Sequence, residues 1–145
     1  MRNENMNEPQ KPQCVQTSVT SSLSTRKDRI EIVNKIIVKI ASLDRKFFEY
    51  KGDVSKIFQR HGRLYMFNEY NKKDMCLSTK YGYPPKGFTH GGTLWGLTKD
   101  FKEFILTGEK SNGQNGYGGL GSPHWGYSPE SMEDIRKTAK VLGYL

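Results

Sequence analysis

Glycine is concentrated in one part of this chain. Residues 82–126 hold twelve of the fifteen glycines, three of the six prolines, both tryptophans and two of the three histidines. Glycine loses more conformational freedom on folding than any other residue, so a cluster of it marks unusual dihedrals or the close approach of another group. Two phrases stand out: Gly87-Phe-Thr-His-Gly-Gly-Thr-Leu-Trp95 and Ser122-Pro-His-Trp-Gly-Tyr127. Aromatic rings supply contact area at little entropic cost. The expectation is a loop-built binding surface over 82–127, held up by a more regular frame.

That frame is legible on either side. Over 27–43 apolar residues recur at Ile30, Val33, Ile37 and Ile40, with charged and amide residues between them, which is helical spacing. Over 46–80 the pattern changes to short runs of aromatic and β-branched residues. Gly52-Asp53, His61-Gly62 and the polar stretch 71–74 punctuate these runs as turns. Val54, Lys56, Phe58 and Arg60 alternate with Ser55, Ile57 and Gln59; Leu64, Met66 and Asn68 alternate with Tyr65, Phe67 and Glu69. Short alternating runs joined by tight turns predict an antiparallel meander of about four strands.

After the break at Tyr81-Gly-Tyr-Pro-Pro a second helix is expected over 93–107. Leu94, Leu97, Phe101, Phe104 and Ile105 lie on one side, and Gly108 follows its end. Residues 109–127 then form a long glycine-rich loop, of a length that is usually functional or disordered. Ser128 as cap and Pro129 in the first turn open a third helix, Met132, Ile135, Ala139 and Leu142 give it a buried stripe, and Gly143 ends it. The fold class is α+β, a small meander packed with two or three helices.

At 145 residues one domain is expected, over 26–145. Residues 1–25 lack aromatics and are too polar to offset their own ordering entropy, so they read as a disordered tail. No segment resembles a secretory signal or approaches the ~20 apolar residues of a membrane span, which points to a cytoplasmic protein. Cys14 and Cys76 give no disulfide framework, and with three scattered histidines they give no zinc site. No metal or cofactor is expected.

Charge narrows the partners. Residues 26–86 carry fifteen Lys or Arg against seven Asp or Glu, while 1–25 and 87–145 each balance, so the whole excess of eight positive charges lies mid-chain. A basic face attracts nucleic acid or an acidic protein; it also serves simply as a solvated surface.

Phe88-Thr-His-Gly-Gly-Thr-Leu94 opening a helix that ends in Thr-Gly, and Trp125-Gly-Tyr before a short final helix, follow the aromatic meander. Together they resemble a group of small, uncharacterised proteins encoded by phages and prophages. The resemblance covers about 45–145. It implies an accessory gene expressed inside an infected bacterium, in host cytoplasm. Such a protein would act without catalysis, by binding a host or defence component. It brings no catalytic residues with it.

Four candidate sites follow from the residues. His90, Gly91, Gly92 and Thr93, with Trp95 behind them, sit where a helix start offers free N–H groups to a small anion; the plainer alternative is ordinary capping by Thr93. His124, Trp125 and Tyr127 could stack a base or sugar, or simply anchor a loop to its core. His90 and His124 together could serve as acid and base in a nucleotide-binding protein or enzyme, but no orienting carboxylate or nucleophile elbow accompanies them. Lys51, Lys56, Arg60, Arg63, Lys72, Lys73 and Lys80 interleave with Phe48, Tyr50, Phe58, Tyr65 and Tyr70 as in single-strand readers. The competing reading puts those rings in the core and only the charges in water.

Overall fold

The computed structural model describes residues 24–145. The tail expected over 1–25 lies outside them, except for Ser24 and Thr25, which are the first described residues. Thr25 caps helix α1 (Arg26–Ala41): its hydroxyl accepts the Asp28 N–H at 3.0 Å and the Asp28 carboxylate accepts the Thr25 N–H at 3.1 Å. Two free donors of the first turn are thereby satisfied reciprocally. Val33, Ile36, Ile37 and Ile40 face inward and are fully buried.

The meander contains five short strands rather than four, in two antiparallel sheets. Strands β1 (Glu49–Tyr50) and β2 (Asp53–Val54) form a small hairpin; β3 (Ile57–Arg60), β4 (Arg63–Asn68) and β5 (Lys73–Cys76) form a sheet in that order. The run 54–60 divides because it changes partner. Ser55 N–H donates to Phe48 O on the hairpin side at 2.9 Å, while Lys56 O already accepts Phe67 N–H from β4 at 3.0 Å. Lys51, at φ +51, and Gly52, at φ +89, make the hairpin turn. On the edge of the larger sheet, Asn34 of α1 grips Ile57 with both ends of its amide, accepting its N–H and donating to its carbonyl at 2.8 Å each.

Helix α2 (Gly91–Thr107) starts two residues before the expected Thr93. His90 occupies the cap position, and Thr93 lies within the first turn. Helix α3 (Pro129–Leu142) begins and ends as its sequence predicts, with Ser128 accepting the Ser131 N–H at 3.1 Å and Gly143 left-handed at φ +91. One core joins α1, α2 and α3 to the inner sheet face of Ile57, Leu64, Met66 and Met75.

The glycine-rich connection 109–127 is exposed at Tyr117 and His124 but buried at Gly118, Gly119 and Leu120. Its backbone crosses α2 where two glycines meet. A Cβ on Gly118 would lie 2.3 Å from Thr93 O and 2.5 Å from Leu97 N, and one on Gly96 would lie 2.6 Å from Asn115 O. Real Cβ atoms do not approach so closely, so the contact requires glycine on both sides.

Two tyrosines close the core with their hydroxyls. Tyr127 Oη donates to Ile40 O at 2.9 Å and accepts Phe47 N–H at 3.0 Å. Tyr144 packs against Phe101 and Phe104 and donates to the Asp100 carboxylate. Burial raises both phenols above the ordinary tyrosine value, and for Tyr144 the Asp100 charge adds to it. A folded-state value above the unfolded one gives stability that is complete below about pH 10 and declines above it. In an alkaline titration followed by phenolate absorbance, two of the eight tyrosines should therefore resist ionisation until the fold is lost. All eight titrating together, before any loss of helical signal, would contradict the burial described.

Candidate functional site

The structure separates the sequence-predicted site residues into three environments. Trp95 and Trp125 are core residues. Trp95 Nε1 donates to Gly82 O at 2.9 Å and its ring meets Phe88 at 5.3 Å; Trp125 Nε1 donates to Gly119 O at 3.1 Å between Phe47 and Tyr127. The expectation of an exposed patch built on these indoles is corrected. Each ring carries one polar atom that finds a carbonyl inside, so burial costs nothing in lost hydrogen bonds. They pin loops to the frame.

His90 is also turned inward. Its side chain is 7% exposed, and Nε2 lies 2.9 Å from Oε2 of Glu69, which is fully buried. Phe48, Phe88 and Tyr70 surround the imidazole at centroid distances of 5.1, 5.4 and 6.0 Å. The Glu69 contact has ion-pair distance without hydrogen-bond direction, and neither carboxylate oxygen has a hydrogen-bond partner among the described residues. Glu69 therefore depends on the imidazole for compensation. Gly91 and Gly92 are exposed, and a side chain at either would meet open space. The half-buried Thr93 does not cap the helix. His124 is exposed elsewhere, with Tyr117 5.6 Å away, and no contact joins it to His90 among the described residues. The two histidines do not form an acid–base pair.

The third environment is the outer face of the three-stranded sheet. The register pairs Phe58 with Tyr65 and Tyr65 with Cys76, Phe67 with Asp74, and Arg60 with Arg63. The Phe67–Lys56 bond extends it by one row. One face thus displays Phe58, Tyr65 and Phe67 among Lys56, Arg60 and Arg63, with Asp74 as an acidic member. All three rings are half-buried and none belongs to the core. The reading that put the aromatics of this segment in the core holds for Phe48 and is corrected for Phe58 and Tyr65. Alternation sends every second residue to the other side, and the helices occupy only one side. Phe58 and Tyr65 stack at 5.6 Å; the Arg60 guanidinium lies 4.5 Å over Tyr65 and 3.2 Å from Asp74.

The other expected cations are dispersed. Lys72 pairs with Asp53 in a turn, and Lys51 and Lys72 both approach the Tyr50 ring. Lys73 lies opposite Asn68, in the register of the inner face, and Lys80 approaches Tyr81 beyond the sheet. Glu69 and Asp74 are participants that sequence reasoning missed. A single acidic residue in a basic, aromatic segment gives no signal of its own; only the strand register places Asp74 on the cationic face.

The sequence model of the family described as YoqU matches residues 24–145. The chain belongs to the YoqU family. It is 34% identical over 119 residues to a SPbeta prophage-derived uncharacterized protein YoqU of Bacillus subtilis (strain 168), covering 81% of this chain and 82% of that protein. The YoqU match begins at residue 24, so α1 is part of the shared unit, beyond the limit of about residue 45 that the loop motifs implied. The prophage origin of that relative is consistent with the accessory phage context the resemblance implied. No solved structure matches the chain. Among the described residues no helix is long and apolar enough to cross a membrane, and no three His, Cys, Asp or Glu side chains group as metal ligands.

Proposed function

We propose that the protein is a phage accessory factor that binds single-stranded nucleic acid on the outer face of β3-β4-β5, without catalysis. The observation that carries this reading is the row Phe58, Tyr65 and Phe67 set among Lys56, Arg60 and Arg63 on a face the core does not use. Base faces stack on such rings regardless of sequence, while cations neutralise the backbone. Four-stranded readers hold about two or three bases this way, and a three-stranded face is of similar scale. Recognition of a host or defence protein through the 82–127 loops has less support, since their indoles are committed to the core.

Fluorescence anisotropy with labelled dT12 and U12 tests it. Binding at low salt should weaken with a log–log slope of about −2, as expected for three phosphate contacts on a single strand. Tyr65→Ala and Phe58→Ala should each lower affinity by about fivefold or more, the loss of roughly 1 kcal/mol or more of stacking. Asp74→Asn should strengthen binding, because it frees Arg60 and removes the one carboxylate on that face. No anisotropy change with either oligomer at low salt would remove the proposal.

A further inference from the structure

We infer that the strand held by the sheet continues onto a second stacking site, the turn that carries Tyr81 and Tyr83. This rests on the nucleic-acid reading of the sheet face. The two tyrosines are 80% and 68% exposed. Their rings meet edge to face at 6.3 Å, and the Lys80 ammonium lies 5.2 Å from the Tyr81 ring.

The turn is held stiffly. Trp95 Nε1 binds Gly82 O, Thr79 Oγ1 donates to Tyr83 O, and the Asn68 amide donates to Gly87 O at 2.8 Å. Pro84 and Pro85 fix the backbone between these anchors. Tyr81 itself is left-handed, at φ +60 and ψ +14. That region crowds a Cβ against the following carbonyl, so glycine or asparagine would occupy it at lower cost. A turn that needed only this shape would gain nothing from tyrosine. A displayed ring gains contact area that is ordered before any ligand arrives.

Charge selects the occupant. Residues 75–99 contain Lys80, Lys86 and Lys99 and no Asp or Glu, which suits a polyanion whose bases present flat faces. Continuity supplies the reach. Leu77 N–H donates to Leu64 O at 2.9 Å, carrying the sheet register past Cys76. The five residues from Cys76 to Tyr81 span at most about 17 Å. The anchors of the turn, Trp95 and Asn68, lie on the helix side of the sheet, so a strand reaching it rounds the β5 edge; at about 3.4 Å per stacked nucleotide, roughly eight nucleotides cover that contour.

The test compares dT4, which fits the sheet alone, with dT12, which reaches the turn. Wild-type protein should bind dT12 at least tenfold more tightly than dT4. The double variant Tyr81→Gly with Tyr83→Ala should lose about fivefold to tenfold of its dT12 affinity, within the range of one or two stacked bases, and keep its dT4 affinity. Tyr81→Gly alone should leave Tm unchanged or raised, a readout that separates ligand contact from a structural role. Equal losses for both lengths, no loss for dT12, or equal wild-type affinities for the two oligomers would overturn the second site. Binding of dT12 that ignores the turn variants defeats only this inference, whereas absence of binding to either oligomer defeats the sheet proposal with it. Tyr81-dependent capture of an oligoglutamate peptide in place of dT12 would assign the turn to an acidic protein and overturn the inference.

Discussion

Gly118→Ala should destabilise the protein by about 3 kcal/mol or more, the upper part of the range for inserting a methyl group where no space exists. The added Cβ would meet Thr93 O at 2.3 Å, Leu97 N at 2.5 Å and Gly96 C at 2.7 Å. These are backbone atoms inside a helix, so no side chain can rotate away. Relief requires the loop to lift from α2, which would disturb the Asn115–Gly118 bridge and the adjoining Gly119 carbonyl that holds Trp125. Gly92→Ala is the control, since a Cβ there meets nothing within 4 Å and its φ lies outside the left-handed region. Chemical denaturation of the two variants measures the difference. Equal stabilities would mean that the crossing of loop and helix does not exist as described.

The second large effect is expected at the buried pair. His90→Ala should cost about 3–5 kcal/mol, the usual result of leaving a buried charge without its partner. Glu69 is fully buried and neither carboxylate oxygen has a hydrogen bond among the described residues; the Lys72 ammonium reaches only its backbone carbonyl, at 2.9 Å. Replacing both residues, with Glu69→Met and His90→Leu, should recover much of that loss, because an apolar pair of similar volume removes the desolvation penalty altogether. The double-mutant cycle separates the pair's interaction from the packing of the ring against Phe48, Phe88 and Tyr70. A cost below about 1 kcal/mol for His90→Ala would show that water reaches Glu69, since exposed ion pairs contribute no more than that.

Most of the frame could be read from the residues, and the site much less so. Helix α1 announced itself through periodicity and helix α3 through periodicity and caps, which are local properties; Thr25, the cap of α1, was read as tail. The strand alternation divided residues 56–60 and 64–68 between two faces correctly, but it missed the change of sheet before Lys56 and could not say which face the helices would cover. That depends on where α1 packs, a long-range fact. The glycines of 82–126 were legible as unusual backbone, but not as the packing contact that two of them make. Close approach was one of the two physical reasons for such a cluster, and it is the one that operates at Gly96 and Gly118. His90 stood out in the sequence through its neighbours in the chain; Glu69, its partner in space, lies twenty-one residues earlier and is marked only by its place after a strand.

The amide of Asn34 has a consequence for life in a crowded cell. Strand β3 is an outer strand of its sheet, and such strands present unpaired donors and acceptors that recruit other chains. By occupying both backbone groups of Ile57, Asn34 imitates a neighbouring strand for one residue and closes that template. The protein can thus leave the aromatic side of its sheet open to solvent while denying an incoming chain the start of β3, a local safeguard against fibre-like self-assembly.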